Sequence, residues 1–164
     1  MAIVHLLFEQ KSLLQYQDKW EKDAIIALTS IAFLKNECIY PQVLLLTPDD
    51  ESGIAIKVML DHLNINYNNI YQVSKKNSIV DDRKYLKEAQ IVIGTPERAY
   101  YVMKQKYLNP MFLESVVFQE LSLISDLGQC KQMDNILRMV PPSTSRHFFF
   151  SQVFNEEEHN LLNI

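Results

Sequence analysis

The sequence predicts an α/β domain: a mainly parallel central sheet flanked by helices on both faces. Two observations carry that reading. Segments at 43–48 (VLLLTP), 91–96 (IVIGTP), 115–120 (SVVFQE) and 147–152 (HFFFSQ) contain unbroken apolar runs instead of alternating. Strands buried on both faces read this way. Between them lie segments with apolar residues three and four apart, the spacing of amphipathic helices. Strands alternating with such helices build a parallel sheet with both faces covered. The 164 residues, 48% hydrophobic and 22% charged, suit one globular domain.

The elements follow in order. A weaker strand is expected at 12–17 (SLLQYQ), then a helix over 21–36 (EKDAIIALTSIAFLKN). The strand at 43–48 is followed by a helix over 52–65 and the next strand at 91–96. A helix over 98–108 (RAYYVMKQKYL) has its lysines in solvent. Its interleaved aromatic and basic residues read as an amphipathic cover helix ahead of a nucleic-acid stripe. The strand at 115–120 runs into a helix ending near Gly128, then a helix over 130–140 and the last strand at 147–152. The acidic run 155–160 (NEEEHN) suits a helix start, where carboxylates are favourable.

Composition excludes several classes. A net charge of -4 argues against a strongly electrostatic nucleic-acid binder. Two cysteines, Cys38 and Cys130, form neither a disulfide framework nor a metal spacing, so a cytoplasmic or nuclear, reducing setting is expected. His5, His62, His147 and His159 form no i, i+4 pair, and no metal site is expected. The opening AIVHLLF has no basic lead or small-residue cleavage site, and no run reaches membrane-span length. No membrane partner is expected.

In parallel sheets, ligands lie outside the carboxyl ends of the strands. Here those ends read TPDDES, GTPER, QELS and SQV. Together with YQDKWEKD (16–23), PDDESG (48–53) and SKK (74–76), they come in one order: YQDKWEKD, PDDESG, SKK, TPER (95–98), QELS (119–122), SQV (151–153). That series resembles the first RecA-like domain of the DEAD-box RNA helicases, whose motifs are AxTGSGKT, PTRELA, GG, TPGR, DEAD and SAT. The resemblance covers essentially the whole chain. It implies a single three-layer RecA-like domain over 1–164. AIVHLL resembles the helix after the family's Q motif, which with the second lobe and its arginine finger would lie outside this sequence.

The departures from the motifs carry the functional expectation. A phosphate loop needs glycines so that several N–H groups can point at the phosphates. Here Lys19, Trp20 and Glu21 fill the loop, Lys22 survives, and Asp23 replaces the threonine that ligates Mg²⁺. Two carboxylates near a polyanion repel it by about 4 kcal/mol per close pair at surface-like screening. The plain reading of Asp23 is a carboxylate near a helix N-terminus, with Lys22 and its neighbouring acid an ordinary surface pair. Trp20 either fills the nucleotide pocket or anchors a partner. At the DEAD position Gln119 replaces the metal-holding acid, Glu120 matches the water-orienting one, and Ser122 replaces the last. The link of Ser122 to SAT, which keeps only Ser151, is thereby expected to be lost. Lys22, Gln119, Glu120 and Ser151 are then vestigial positions, with no cofactor, in a pseudo-ATPase.

For RNA, the resemblance implies weak backbone contact through Lys75, Lys76, Thr95 and Arg98, against an acidic corner at Asp49, Asp50 and Glu51. Thr95-Pro96 reads equally as a strand-ending turn and helix cap. The reading that results is an inactive helicase-like scaffold binding protein partners in an RNA-processing or RNA-silencing assembly. Its alternatives are a weak RNA-binding module and a retained nucleotide switch of a larger helicase.

Overall fold

The computed structural model describes residues 11–17, 19–35, 37–63, 70–142 and 145–152. The stretches 1–10 and 155–160, and the side chains of Lys19 and Trp20, lie outside the described residues, and with them the readings of AIVHLL, NEEEHN and Trp20. The described elements are β1 (Lys11–Gln15), α1 (Lys19–Ala32), β2 (Val43–Leu46), α2 (Asp50–His62), β3 (Ile70–Val73), α3 (Ile79–Tyr85), β4 (Ile91–Gly94), α4 (Pro96–Lys104), a 3-10 turn (Pro110–Phe112), β5 (Ser115–Phe118), α5 (Leu121–Asp126), α6 (Cys130–Met139) and β6 (Arg146–Ser151). No described helix is long and apolar enough to cross a membrane.

The six strands form one sheet in the order β1-β6-β5-β2-β4-β3, and every pairing is parallel. Strand side chains alternate between faces, and the two faces bury different sets. Val43, Leu45, Ile91, Ile93, Val117, Phe148 and Phe150 meet Ile26 and Ala27 of α1 and Ile56 and Leu60 of α2. On the other face Leu44, Leu46, Val92, Val116, Phe118 and Phe149 meet Ala99, Val102 and Met103 of α4, Leu121 and Ile124 of α5, and Met133 and Ile136 of α6. Two cores on one sheet explain why the central strands carry apolar residues on both faces.

The expected strands at 43–48 and 91–96 each end two residues early, because caps take over. Thr95 is extended (φ -72, ψ 153) and its side chain accepts the Arg98 N–H, with Pro96 opening α4. Asp49 caps α2 in the same way through the N–H of Ser52 at 2.7 Å. The helix expected over 98–108 stops at Lys104, and Lys106 turns the chain with φ 61. Gly128, at φ 70, follows α5 as expected: a left-handed residue just past a helix end favours glycine. Gly94 is needed for a different reason, since a Cβ there would meet Val73 Cγ2 at 2.5 Å.

β3 and α3 were not expected from the sequence. β3 is an edge strand of four residues, only one of them buried, so no apolar run marks it. α3 spans seven residues, and its single buried member is the charged Asp82, so no apolar stripe marks it either.

His147 on β6 is 4% exposed, with Ser145 Oγ 3.0 Å from its Nε2. Burial, then the Lys11 charge, lowers its pKa to about 4. The unfolded imidazole titrates near 6.5, so between about pH 6.5 and 4 the unfolded chain binds the proton preferentially. Stability from this group is complete above that window and falls as pH drops through it, by up to about 3 kcal/mol. Denaturation followed across pH 4–7 is expected to show that loss, flattened in His147→Gln.

Candidate functional site at the carboxyl ends of the strands

Tyr16 follows β1, Lys22 and Asp23 sit on α1, and Gln119 and Glu120 follow β5; all converge at the carboxyl end of the sheet. Lys22 is 4% exposed, and its Nζ donates to Glu120 Oε1 at 2.6 Å with Asp23 Oδ1 at 3.5 Å. Lys22 and its neighbouring acid are therefore not a surface pair. Ile26 and Ala27 pack α1 on the sheet, and Lys22, one turn before Ile26, lies on the same face of the helix. The Tyr16 hydroxyl donates to the second oxygen of Glu120, and the Lys22 ammonium lies 5.2 Å from the Tyr16 ring centroid. Burial, followed by Glu120, pushes the Tyr16 phenol up.

Glu120 reaches this position from a left-handed backbone, φ 57 and ψ 60. For a residue with a Cβ that conformation costs about 1–2 kcal/mol. Strain of this kind collects where a side chain must be aimed, and here it aims the carboxylate at Lys22 and Tyr16. Sequence spacing could not show this contact, which joins residues 98 positions apart.

The amide that replaces the metal-holding acid has not left the site without an acid. Gln119, 3% exposed, donates through Nε2 to Asp23 Oδ1 at 3.3 Å. The family's hydroxyl on the helix and carboxylate on the strand are replaced by a carboxylate on the helix and an amide on the strand. Asp23 is thus more than an acid near a helix start: it lies in the second turn of α1 and holds Gln119. The Ser122 link also survives, because the Ser151 hydroxyl donates to Ser122 Oγ at 2.9 Å and accepts the Ser122 N–H at 3.3 Å.

The residues expected to meet RNA lie further along the same end. Asp50 Oδ2 accepts the Ser74 hydroxyl at 2.5 Å, so that acid ties the start of α2 to the turn after β3. Lys75 pairs with Glu97 at 2.6 Å, both exposed, and Lys76 is exposed. Thr95 caps α4. Arg98 forms an ion pair with the fully buried Asp82 and lies 4.9 Å from the Tyr101 ring centroid. Among the described residues no group of three or more His, Cys, Asp or Glu forms a metal cluster.

The fold and the loops at this end of the sheet define a RecA-like domain of the kind found in DEAD-box proteins. The DEAD/DEAH box helicase family model matches residues 22–161, and the chain belongs to that family. The chain is 27% identical to the ATP-dependent RNA helicase FAL1 of Candida albicans, over 87% of its own length and 36% of the relative's. It is 24% identical to the ATP-dependent RNA helicase eIF4A of Saccharomyces cerevisiae, again over 87% of this chain and 36% of that one. A DEAD box protein structure from the hyperthermophile Methanococcus jannaschii superposes with a TM-score of 0.90 at 25% identity, covering 98% of this chain and 44% of that one. The chain spans little more than a third of the curated relatives' length.

These relatives overturn the pseudo-ATPase expectation. They are named as ATP-dependent RNA helicases, and the chain matches them over 87% of its length. The physical reason lies in the pairs just described. The expectation counted substitutions one at a time, whereas Asp23 and Gln119 are hydrogen-bonded to each other, and Lys22 and Glu120 are both present and in contact.

Proposed function

We propose that this chain is the nucleotide-responsive first lobe of an RNA-helicase-related protein working in RNA metabolism. The observation that carries the reading is the buried Lys22–Glu120 pair, in which the phosphate-contacting and water-orienting positions of the family hold each other. Three of the residues present suit a magnesium nucleotide, in a loop without the glycines of a phosphate cradle and with Glu21 in the first turn of its helix. Lys22 supplies an ammonium for phosphate oxygens, and Asp23, 26% exposed in its side chain, supplies a hard oxygen for the cation. Gln119 Oε1 is buried with no hydrogen-bond partner, a polar atom that a bound group would satisfy. When bound, the magnesium nucleotide would supply the phosphoanhydride bond and the cation that neutralises its oxygens. Lys22 would meet a phosphate oxygen in place of Glu120, and Tyr16 would hold the Glu120 carboxylate.

Titration calorimetry with ATP and Mg²⁺ is expected to give measurable binding, weakened about tenfold or more in Lys22→Ala, because a hydrogen bond to a charged group contributes about 1.5–3 kcal/mol. Equal affinity in the variant, or no binding by the wild type, would defeat the proposal.

A second reading, a protein-interaction scaffold in a ribonucleoprotein assembly, is favoured by one surface. At the opposite end of the sheet Ile39, Met111 and Phe112 are 74%, 62% and 50% exposed, and Phe112 lies 4.9 Å from the Tyr40 ring. Apolar side chains exposed together mark interaction sites. Met111→Asp is expected to abolish capture of a protein partner while ATP binding is retained; unchanged capture removes this reading.

A further inference from the structure

Basic and apolar side chains share the amino end of the sheet, at the far end from Lys22. There the end of α3 and the turn after α4 enclose a concavity of about 480 Å³, lined by Arg83, Lys87, Gln105, Lys106 and Tyr107. Both segments reach that end because α3 leads into the start of β4 and α4 runs back from its finish. Arg83, Lys87 and Lys106 are exposed, and none of the three forms an ion pair among the described residues. Glu88, the acid next to Lys87, is exposed as well and pairs with none of them. In a chain of net charge -4, three unbalanced cations lining one concavity suit an anionic partner.

The connection that supplies Lys106 supplies apolar groups too. Lys106 holds φ 61 just past α4, a place that favours glycine, and a charged side chain stands there instead. Met111 and Phe112 follow in the same connection, and both are exposed. Phe112 precedes β5 and Lys87 precedes β4, with β2 alone between those two strands. Two strand spacings are about 10 Å, a span that about three residues of extended chain cover. A free polyphosphate would use the cations alone. A peptide with Asp or Glu a few residues from an aromatic or aliphatic side chain would use both features. Its carboxylates would meet the cations, and its apolar side chain would pack on Ile39, Met111 and Phe112.

We propose that the amino end of the sheet docks an acidic peptide segment of a partner protein, anchored by an apolar side chain. The proposal rests on the protein-interaction reading above and adds the chemistry of the partner.

Selection from a displayed library of short random peptides, followed by fluorescence anisotropy of the enriched peptide, tests it. Enriched peptides are expected to combine Asp or Glu with Phe, Leu, Ile or Met a few positions away. Arg83→Gln/Lys87→Gln/Lys106→Gly, in which glycine keeps the left-handed turn, is expected to bind about tenfold more weakly at low salt, the scale of three exposed ion pairs. That difference should shrink as salt screens the pairs. Met111→Asp is expected to weaken binding at every salt concentration. Urea denaturation and ATP calorimetry of the variants should match wild type. Should the triple variant lose stability, Lys87→Gln/Lys106→Gly, which leaves α3 intact, is expected to weaken binding about fivefold. Loss confined to Met111→Asp would overturn the proposal and leave the protein-interaction reading standing. Loss confined to the basic variants would overturn that reading's apolar anchor and the proposal with it. No enriched peptide, enriched peptides without acids, or displacement by tripolyphosphate or single-stranded RNA as readily as by unlabelled peptide would also overturn it.

Discussion

Asp82→Ala is expected to destabilise the domain by about 3–5 kcal/mol, the range for removing one partner of a buried ion pair. Asp82 is fully buried and satisfies two neighbours at once. One carboxylate oxygen accepts the Tyr71 hydroxyl at 2.9 Å, and the other meets the Arg98 guanidinium, whose side chain is 13% exposed. Tyr71 in turn accepts from Asn77 at 2.9 Å. Removing the carboxylate leaves a nearly buried guanidinium uncompensated and unlinks β3, α3 and α4. Burial, then Asp82, pushes the Tyr71 phenol up, so the variant should also bring that phenol's titration down. Urea denaturation of wild type, Asp82→Ala and Asp82→Asn reads the loss directly. A change below about 1 kcal/mol would show that water or a neighbouring acceptor already satisfies Arg98.

Phe118→Ala is expected to cost a similar amount, about 3–5 kcal/mol, through lost burial and a cavity that the sheet cannot close. Phe118 ends β5, is fully buried, and stacks on Phe149 of β6 with centroids 4.7 Å apart and planes at 12°. It also stands one residue before Gln119, whose N–H donates to Leu46 O at 2.8 Å. The cavity would open on the face of the sheet opposite α1, beside the backbone that carries Gln119 and Glu120. Loss of ATP binding together with stability is the expected pair of results, and Phe118→Leu should recover most of both. Full stability in the alanine variant would mean that the two cores repack more freely than their burial implies.

Much of the fold was legible from residue pattern alone. Short unbroken apolar runs bounded by turn residues and alternating with amphipathic helices read as strands covered on both faces, and the Thr95-Pro96 and Gly128 signals mark helix boundaries by local backbone chemistry. Where pattern failed, the elements were short and half-polar. β3 pairs at the edge, and α3 is anchored by a charged side chain whose partner, Arg98, is 16 positions away.

The site divides along the same line. Its place at the carboxyl ends of the strands, and the identities of Lys22, Gln119 and Glu120, are written in the chain, because parallel-sheet topology and motif order are local or one-dimensional properties. Which side chains meet is not. The contacts of Glu120 with Tyr16 and Lys22, of Asp23 with Gln119, and of Ser122 with Ser151 join separate elements across a folded sheet. Their free energy depends on distance and burial, and no linear reading contains either. Taken singly, those substitutions suggested a lost activity. Folding places them in pairs, and a charge moved from one partner to the other is a different chemical event from a charge deleted.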